Sequence, residues 1–421
     1  MISFKIPDSH LNFLYLIDNR EFMIKKLTFL LWFFTTFVFS QNLEFTIIVK
    51  DFDTDLPIEE VTITALKTRQ GFLTNKEGKA IISLTRSSDL EFIHSSYKTL
   101  VVKFATLDKK ENVVYLEPNT QQLDEYIITK DHPQEILKRI IENSKEKITI
   151  PISLKVYLHE FYKQDNQIVF FNDGLINFQI LGNEKAIKTD ILIEQNRAIG
   201  VLEGDIDADV LGYDLNNIIE NYYQFKYLEE VLDARAKKIY DFSVKTYPSN
   251  EDYLVIKIVP LPESKGILSD FMVVYDSDKK LIVEVSSYVT PDRLQTYKES
   301  MFASRKVYKL EFKNTFRLEG NYYYLANSKE VIGFEKKYKN KERRIEVKNH
   351  MVITDFNKKT FEYGEKNIFK GKSLINKKTS FFTDYWDIES GFVSTAEEKA
   401  IIERLGKGNE EIQNEVENPK E

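Results

Sequence analysis

The sequence predicts a mainly β protein, a small N-terminal sandwich followed by a large antiparallel sheet, on three observations. Short runs of alternating apolar and polar residues recur from Gln41 to about Phe369. Aromatic residues reach 13% of the chain, with 30 Phe and 23 Tyr. Helical spacing occurs in only two stretches, near 133–147 and 215–238. Period-two alternation marks half-buried strands, and aromatic side chains suit a pleated surface better than a helical bundle.

The chain has 421 residues, enough for two or three domains. Met23-Ile-Lys-Lys26 precedes an apolar run from Leu27 to Phe39, and Val38-Phe39-Ser40 supplies a small-residue cleavage site before Gln41. A positive start, a short apolar run and a small-residue cleavage site define a secretory signal over 23–40, cut between Ser40 and Gln41. The run is too short to span a bilayer, which takes about 20 residues. Met1 to Phe22 reads as an upstream extension from a mis-assigned start. The expectation is an exported protein, periplasmic or outer-membrane associated or secreted, with no membrane span in the mature chain.

Cysteine is absent. That excludes disulfides, thiolate metal sites, cysteine nucleophiles and a lipidated N-terminal cysteine. The formal net charge is −7, which leaves no basic surplus for a nucleic-acid partner.

From Gln41 to Pro118 the strands are short. Phe45, Ile47 and Val49 alternate with Thr46, Ile48 and Lys50, and Val61, Ile63 and Ala65 alternate with Thr62 and Thr64. Asn75-Lys-Glu-Gly78 is a turn, with Gly78 free to take positive φ. Ala80–Leu84, Leu90–Ile93, Leu100–Phe104 and Val113–Leu116 complete an antiparallel sandwich.

The order Asp51-x-x-Thr54-x-x-Pro57-Ile58-x-x-Val61, then Thr74-Asn75-x-x-Gly78, Ser95-Ser96-Tyr97 and Val113–Leu116 resembles the carboxypeptidase-like regulatory domain. The resemblance covers residues 44–118. It implies a seven-stranded transthyretin-like sandwich, found in envelope proteins of Gram-negative bacteria, often ahead of transporters or partner domains. It implies no peptidase activity, since the domain is accessory. Ser96 and Ile47 depart from glycines of the pattern, and Ala80 from a phenylalanine.

Residues 119–148 form a linker and a helix. Leu123–Thr129 reads as extended, Asp131 as the cap, and Pro133 to Lys147 as the helix, with Ile136, Leu137, Ile140 and Ile141 on one face. From 149 to 375 the pattern is consecutive hairpins. Leu254, Ile256 and Ile258 form one alternating run, and Tyr308, Leu310 and Phe312 another. Asp276-Ser-Asp-Lys279 joins two strands as a hairpin turn. A large curved sheet, half-barrel-like with a packed helix at 215–238, is expected. Residues 376–421 comprise an aromatic segment, Phe381 to Trp386, and from Gly406 a disordered acidic tail.

His132-Pro-Gln-Glu135 has the H-x-x-E spacing of a zinc site, but neither His159 nor His350 lies in a matching motif, and the tetrad reads as a helix start. Asp205, Asp207 and Asp209 are spaced like a calcium loop, yet Val210 and Asn216 stand where Gly and Glu belong, so a solvated loop is preferred. Tyr222, Tyr223, Tyr385 and Trp386 are the ligand-stacking candidates, with core packing the commoner role for such residues. Lys336 to Arg344 reads as a solvated basic hairpin tip. No catalytic motif and no cofactor fingerprint is present. The expected function is a non-enzymatic envelope binding or interaction module, its partner an envelope protein, polysaccharide or lipid. A lipid carrier in the large sheet is the alternative, and a hydrolase the second.

Overall fold

The computed structural model describes residues 43–108, 110–119, 125–201, 214–248, 250–294, 296–298, 303–338, 341–358, 362–377 and 391–417. The signal segment with Ser40 and Gln41, the upstream extension, Asp205, Asp207 and Asp209, and Tyr385 with Trp386 lie outside the described residues.

The first seven strands are β1 (Leu43–Asp51), β2 (Thr62–Ala65), β3 (Gly71–Leu73), β4 (Lys79–Leu84), β5 (Leu90–His94), β6 (Tyr97–Val102) and β7 (Glu111–Leu116). They build two sheets, β4-β1-β7 and β3-β2-β5-β6, which close over Ile47, Val49, Ile63, Ile82, Leu84 and Phe92. One pair departs from the antiparallel expectation: β1 and β7 run parallel, with Ile48 opposite Val113. The two strands lie at opposite ends of the domain sequence, so no hairpin constrains their direction.

The motif residues behind the family resemblance hold turns. Asp51 Oδ1 accepts from the Asp53 and Thr54 amides and the Thr54 hydroxyl, and Tyr97 donates its hydroxyl to Asp51 Oδ2 at 2.8 Å. Thr74 Oγ1 accepts from the Val61 amide and donates to the Ile58 carbonyl. Asn75 Oδ1 accepts from the Glu77 and Lys79 amides, and Gly78 adopts φ +69°.

The helix α1 (Pro133–Lys147) forms as the spacing predicts. Its cap is His132 rather than Asp131: His132 Nδ1 accepts from the Gln134 amide, while the Asp131 carboxylate pairs with Arg139 at 2.7 Å. Ahead of it, Ile127 and Glu125 hydrogen-bond to Val244 and Thr246 and cover a sheet edge.

The remaining strands are β8 (Ile152–Gln164), β9 (Gln167–Asn183), β10 (Ala186–Gly200), β11 (Tyr240–Thr246), β12 (Tyr253–Pro260), β13 (Asp270–Asp276), β14 (Ile282–Tyr288), β15 (Thr296–Lys298), β16 (Ala303–Glu319), β17 (Tyr322–Tyr338) and β18 (Lys341–Asn357). Among the described residues they form one antiparallel sheet, ordered β10-β9-β8-β18-β17-β16-β14-β13-β12-β11 with β15 on β16. The sheet is open, because β10 and β11 end the path without meeting. The last strand, β18, pairs with the first, β8, and so sits mid-sheet.

Alternation gives the sheet two faces with different partners. Ile152, Leu154, Val156 and Leu158 of β8 join a core with Leu137, Ile140 and Ile141 of α1. Tyr157, between them, points to the other face and meets Leu73 of the sandwich through Leu175, Val352 and Phe392. The sheet is therefore the middle of three layers.

The expected 215–238 helix is broken into turns: α2 (Ile218–Tyr223), a 3-10 turn, α3 (Glu229–Leu232) and a second 3-10 turn. Phe225 interrupts it at φ +51°, with its ring fully buried against Phe316. Burial of that ring outweighs the backbone cost, roughly 1–3 kcal/mol.

The tail is also corrected. Residues Ala396–Glu417 form α4, which continues past Gly406, where a disordered tail was expected to begin. Thr395 and Glu398 make a capping box: the Glu398 amide donates to Thr395 Oγ1 at 3.1 Å and the Thr395 amide to Glu398 at 2.8 Å.

Candidate functional site

Two of the four stacking candidates, Tyr222 and Tyr223, are among the described residues, and both fall into the core. Tyr222 and Tyr223 are 5% and 0% exposed, packed with Ile219, Leu228 and Leu325. Tyr222 donates its hydroxyl to Glu330 at 2.7 Å. Glu135 of the H-x-x-E tetrad turns to Lys237 at 3.2 Å and Lys138 at 3.6 Å. His159 and His350 lie on the opposite face of the sheet from α1, so the tetrad and these histidines are not brought together.

What the fold does assemble is a polar cluster where the sandwich meets the sheet. Glu60 itself takes φ +62° in the turn ahead of β2 and reaches across to the strands beneath. Its carboxylate contacts Lys313 of β16 at 2.9 Å and also Lys329 of β17. Lys313 in turn contacts Glu284 of β14 at 3.2 Å. Burial alone would raise the Glu60 carboxyl, but Lys313 and Lys329 together outweigh it and hold its pKa at about 2. Burial opposes the charge on Lys313, yet Glu284 and Glu60 overcome it and push its pKa up. Glu284 is raised by burial, which Lys313 only partly offsets.

Further along the same junction, Arg317 of β16 lies 3.7 Å from Glu91 of β5. His94, at the end of β5, is driven down to about 4 by burial and then by Lys313. Tyr247 donates to Ser95 at 3.2 Å, tying the β5–β6 turn to the loop after β11.

Glu60, His94, Ser95, Glu284, Lys313 and Arg317 line a cleft of about 220 Å³ between the two layers. Its floor is β14 and β16, and its walls are the His94–Ser95 turn on one side and Asp276–Lys279 on the other. The hairpin turn expected at Asp276–Lys279 thus forms one rim, with Lys279 paired to Asp276 at 2.8 Å.

Beside the cleft, a second cluster packs the sandwich down. His159 and His350 face one another against Phe392, and His350 Nε2 lies 2.8 Å from Asn327 Oδ1. Asp173 is fully buried, accepts from Tyr157 at 2.9 Å, and is held by Arg197 at 2.9 Å. Burial, with Asp173 beside it, pushes the Tyr157 phenol well up.

None of Glu60, His94, Glu284, Lys313 and Arg317 is a site candidate in the sequence. Glu60 and His94 belong to the sandwich, whereas Glu284, Lys313 and Arg317 follow some two hundred residues later, so no motif spacing joins them. The one available signal was lysine at a position facing inward on β16, beside the alternation of Leu310 and Phe312.

Among the described residues no helix is long and apolar enough to cross a membrane. No family model matches the chain, and no curated protein matches it. Among solved structures, the chain is similar to a LolA superfamily protein from Nitrosomonas europaea at 9% identity and a TM-score of 0.20, covering 55% of this chain and 97% of that one. It is also similar to lipovitellin, in a structure of its lipid–protein interactions, at 10% identity and a TM-score of 0.23, covering 55% of this chain and 29% of that one. Scores this low do not establish a shared fold.

Proposed function

We propose that the chain is an exported, non-enzymatic binding module of the cell envelope whose ligand lodges in the cleft between sandwich and sheet. The observation that carries this reading is the Glu60–Lys313–Glu284 chain, a set of fixed, mostly buried charges lining a cavity of about 220 Å³ at a layer junction. Binding sites favour such junctions, where a few placed polar groups orient a ligand among apolar walls. The export pattern of Met23–Ser40 and the accessory-domain resemblance of residues 44–118 support the envelope address.

The shifts at Glu60 and His94 weigh against either residue as a general acid or base, while Glu284 alone among the cleft carboxyls is raised, by burial. A general acid or base works best with a pKa near the operating pH. Glu60 at about 2 and His94 at about 4 sit far below neutrality. The filled face of the sheet weighs against a lipid carrier, because Tyr223, Phe225, Leu228 and Val231 occupy it with no exposed surface.

Native mass spectrometry of residues 41–421, purified from its own envelope, tests the reading. The expected result is a retained small ligand that disappears in Thr99→Trp, which fills the cleft from β6. An unliganded mass for the unsubstituted protein, or a ligand unaffected by Thr99→Trp, overturns it.

A further inference from the structure

Arg317 has an incomplete set of partners. Its side chain is 10% exposed, its contact with Glu91 is longer than a hydrogen bond, and Nε and Nη2 find no acceptor among the described residues. A buried charged donor left unsatisfied costs more than an ordinary hydrogen bond returns. Arg317 is among the residues that line the junction cleft, so the missing acceptors are expected from whatever enters there.

The charge of the cleft narrows the class of ligand. Its ionisable lining is balanced: Glu60, Asp276 and Glu284 against Lys279, Lys313 and Arg317. Both lysines are already committed, Lys279 to Asp276 and Lys313 to Glu60 and Glu284. The Arg317 charge is faced by Glu91 at 3.7 Å, so what it lacks is hydrogen-bond acceptors rather than a counter-charge, and a charged ligand would be desolvated with no surplus opposite charge waiting in a partly enclosed site. A neutral ligand that both donates and accepts matches better. Its hydroxyls can donate to the spare lone pairs of Glu60 and Glu284 and accept from Arg317. The apolar part of the wall, Leu281 and Phe316 among it, suits C–H faces. A volume of about 220 Å³ lies below the roughly 300–1,000 Å³ of sites for drug-sized ligands, so the ligand portion is small.

We infer that the junction cleft binds one neutral, hydroxyl-rich unit, a sugar residue or polyol, with Arg317 as its donor. This rests on the cleft being the binding site. The unit is either free or the end of a glycan chain, since the recognition chemistry is shared.

Saturation-transfer NMR and calorimetry on residues 41–421 test it with glucose, galactose, mannose, N-acetylglucosamine and sorbitol, their short oligosaccharides, and glucuronate as the charged control. The expected result is saturation of at least one neutral probe and an affinity loss of about tenfold or more in Arg317→Met. Thr62→Val, which removes a hydroxyl lining the cleft, gives a second reading if Arg317→Met does not fold. Tighter binding of the oligosaccharide than of its monomer assigns a glycan end; equal binding assigns the free sugar. Binding of glucuronate alone, or neutral binding indifferent to both substitutions, overturns the inference. If no probe binds while native mass spectrometry still shows a ligand lost in Thr99→Trp, the ligand class is wrong and the cleft stands. If neither experiment finds a ligand, both readings fall.

Discussion

His159 on β8 and His350 on β18 are opposite one another in register, their rings 5.0 Å apart and buried under Phe392. They are 191 positions apart in the chain and meet only because the last strand of the sheet pairs with its first. Both are neutral in the folded protein. Burial, then Lys329 and Arg197, lowers His159 to about 3, and burial with Lys329 takes His350 well below its ordinary value.

This pair, with His94, makes the protein acid-sensitive. The unfolded chain takes up protons at histidine below about pH 6.5, and the folded chain refuses them. Stability is therefore complete above pH 6.5 and is lost as pH falls toward about 4 for His94 and about 3 for His159. The slope is about 1.4 kcal/mol per histidine per pH unit. Urea titrations at pH 7.5, 6 and 5 measure it. His159→Phe, which suits the neighbouring Phe161 and Phe392, flattens the slope by one proton's worth; an unchanged slope would show that His159 titrates normally.

Glu60 is the next lever. Glu60→Gln leaves Lys313 with Glu284 alone and removes the principal partner of Lys329. Breaking a fully buried pair costs about 3–5 kcal/mol, but these lysines are about one-third exposed, so about 2 kcal/mol is expected. Denaturant midpoints at pH 7 give the value. Glu60 itself stabilises above the ordinary carboxylate pKa and loses that contribution as pH falls from 4.5 to about 2, a window that Glu60→Gln should erase.

Phe225 tests the filled sheet face. Phe225→Ala keeps the strained backbone and empties a fully buried ring site, which should cost about 3–5 kcal/mol. A cost below about 1 kcal/mol in chemical denaturation would mean that the face repacks freely, and would revive a carrier role.

Gly78 tests the motif turn. Its φ is +69°, and a Cβ there would lie 2.4 Å from the Val49 carbonyl oxygen. Gly78→Ala is expected to destabilise by about 2 kcal/mol or more, read as a drop in Tm. The sandwich signals should broaden first in an NMR spectrum of the variant.

Local order was legible and assembly was not. The strands of the sandwich, the helix at Pro133–Lys147 and the hairpin at Asp276–Lys279 could be read because period, turn residues and proline act within a few residues of themselves. Phe225 and α4 were misjudged where a tertiary contact or a capping box overrode composition. The parallel β1–β7 pair, the β8–β18 closure that sets His159 against His350, and the cleft joining Glu60 to Lys313 and Arg317 follow from long-range packing. The sequence by itself determined where strands and turns form and the absence of cysteine chemistry. Only the tertiary structure decided which charged side chains share a buried junction, because burial and ion pairing depend on distances between strands that sequence spacing does not encode.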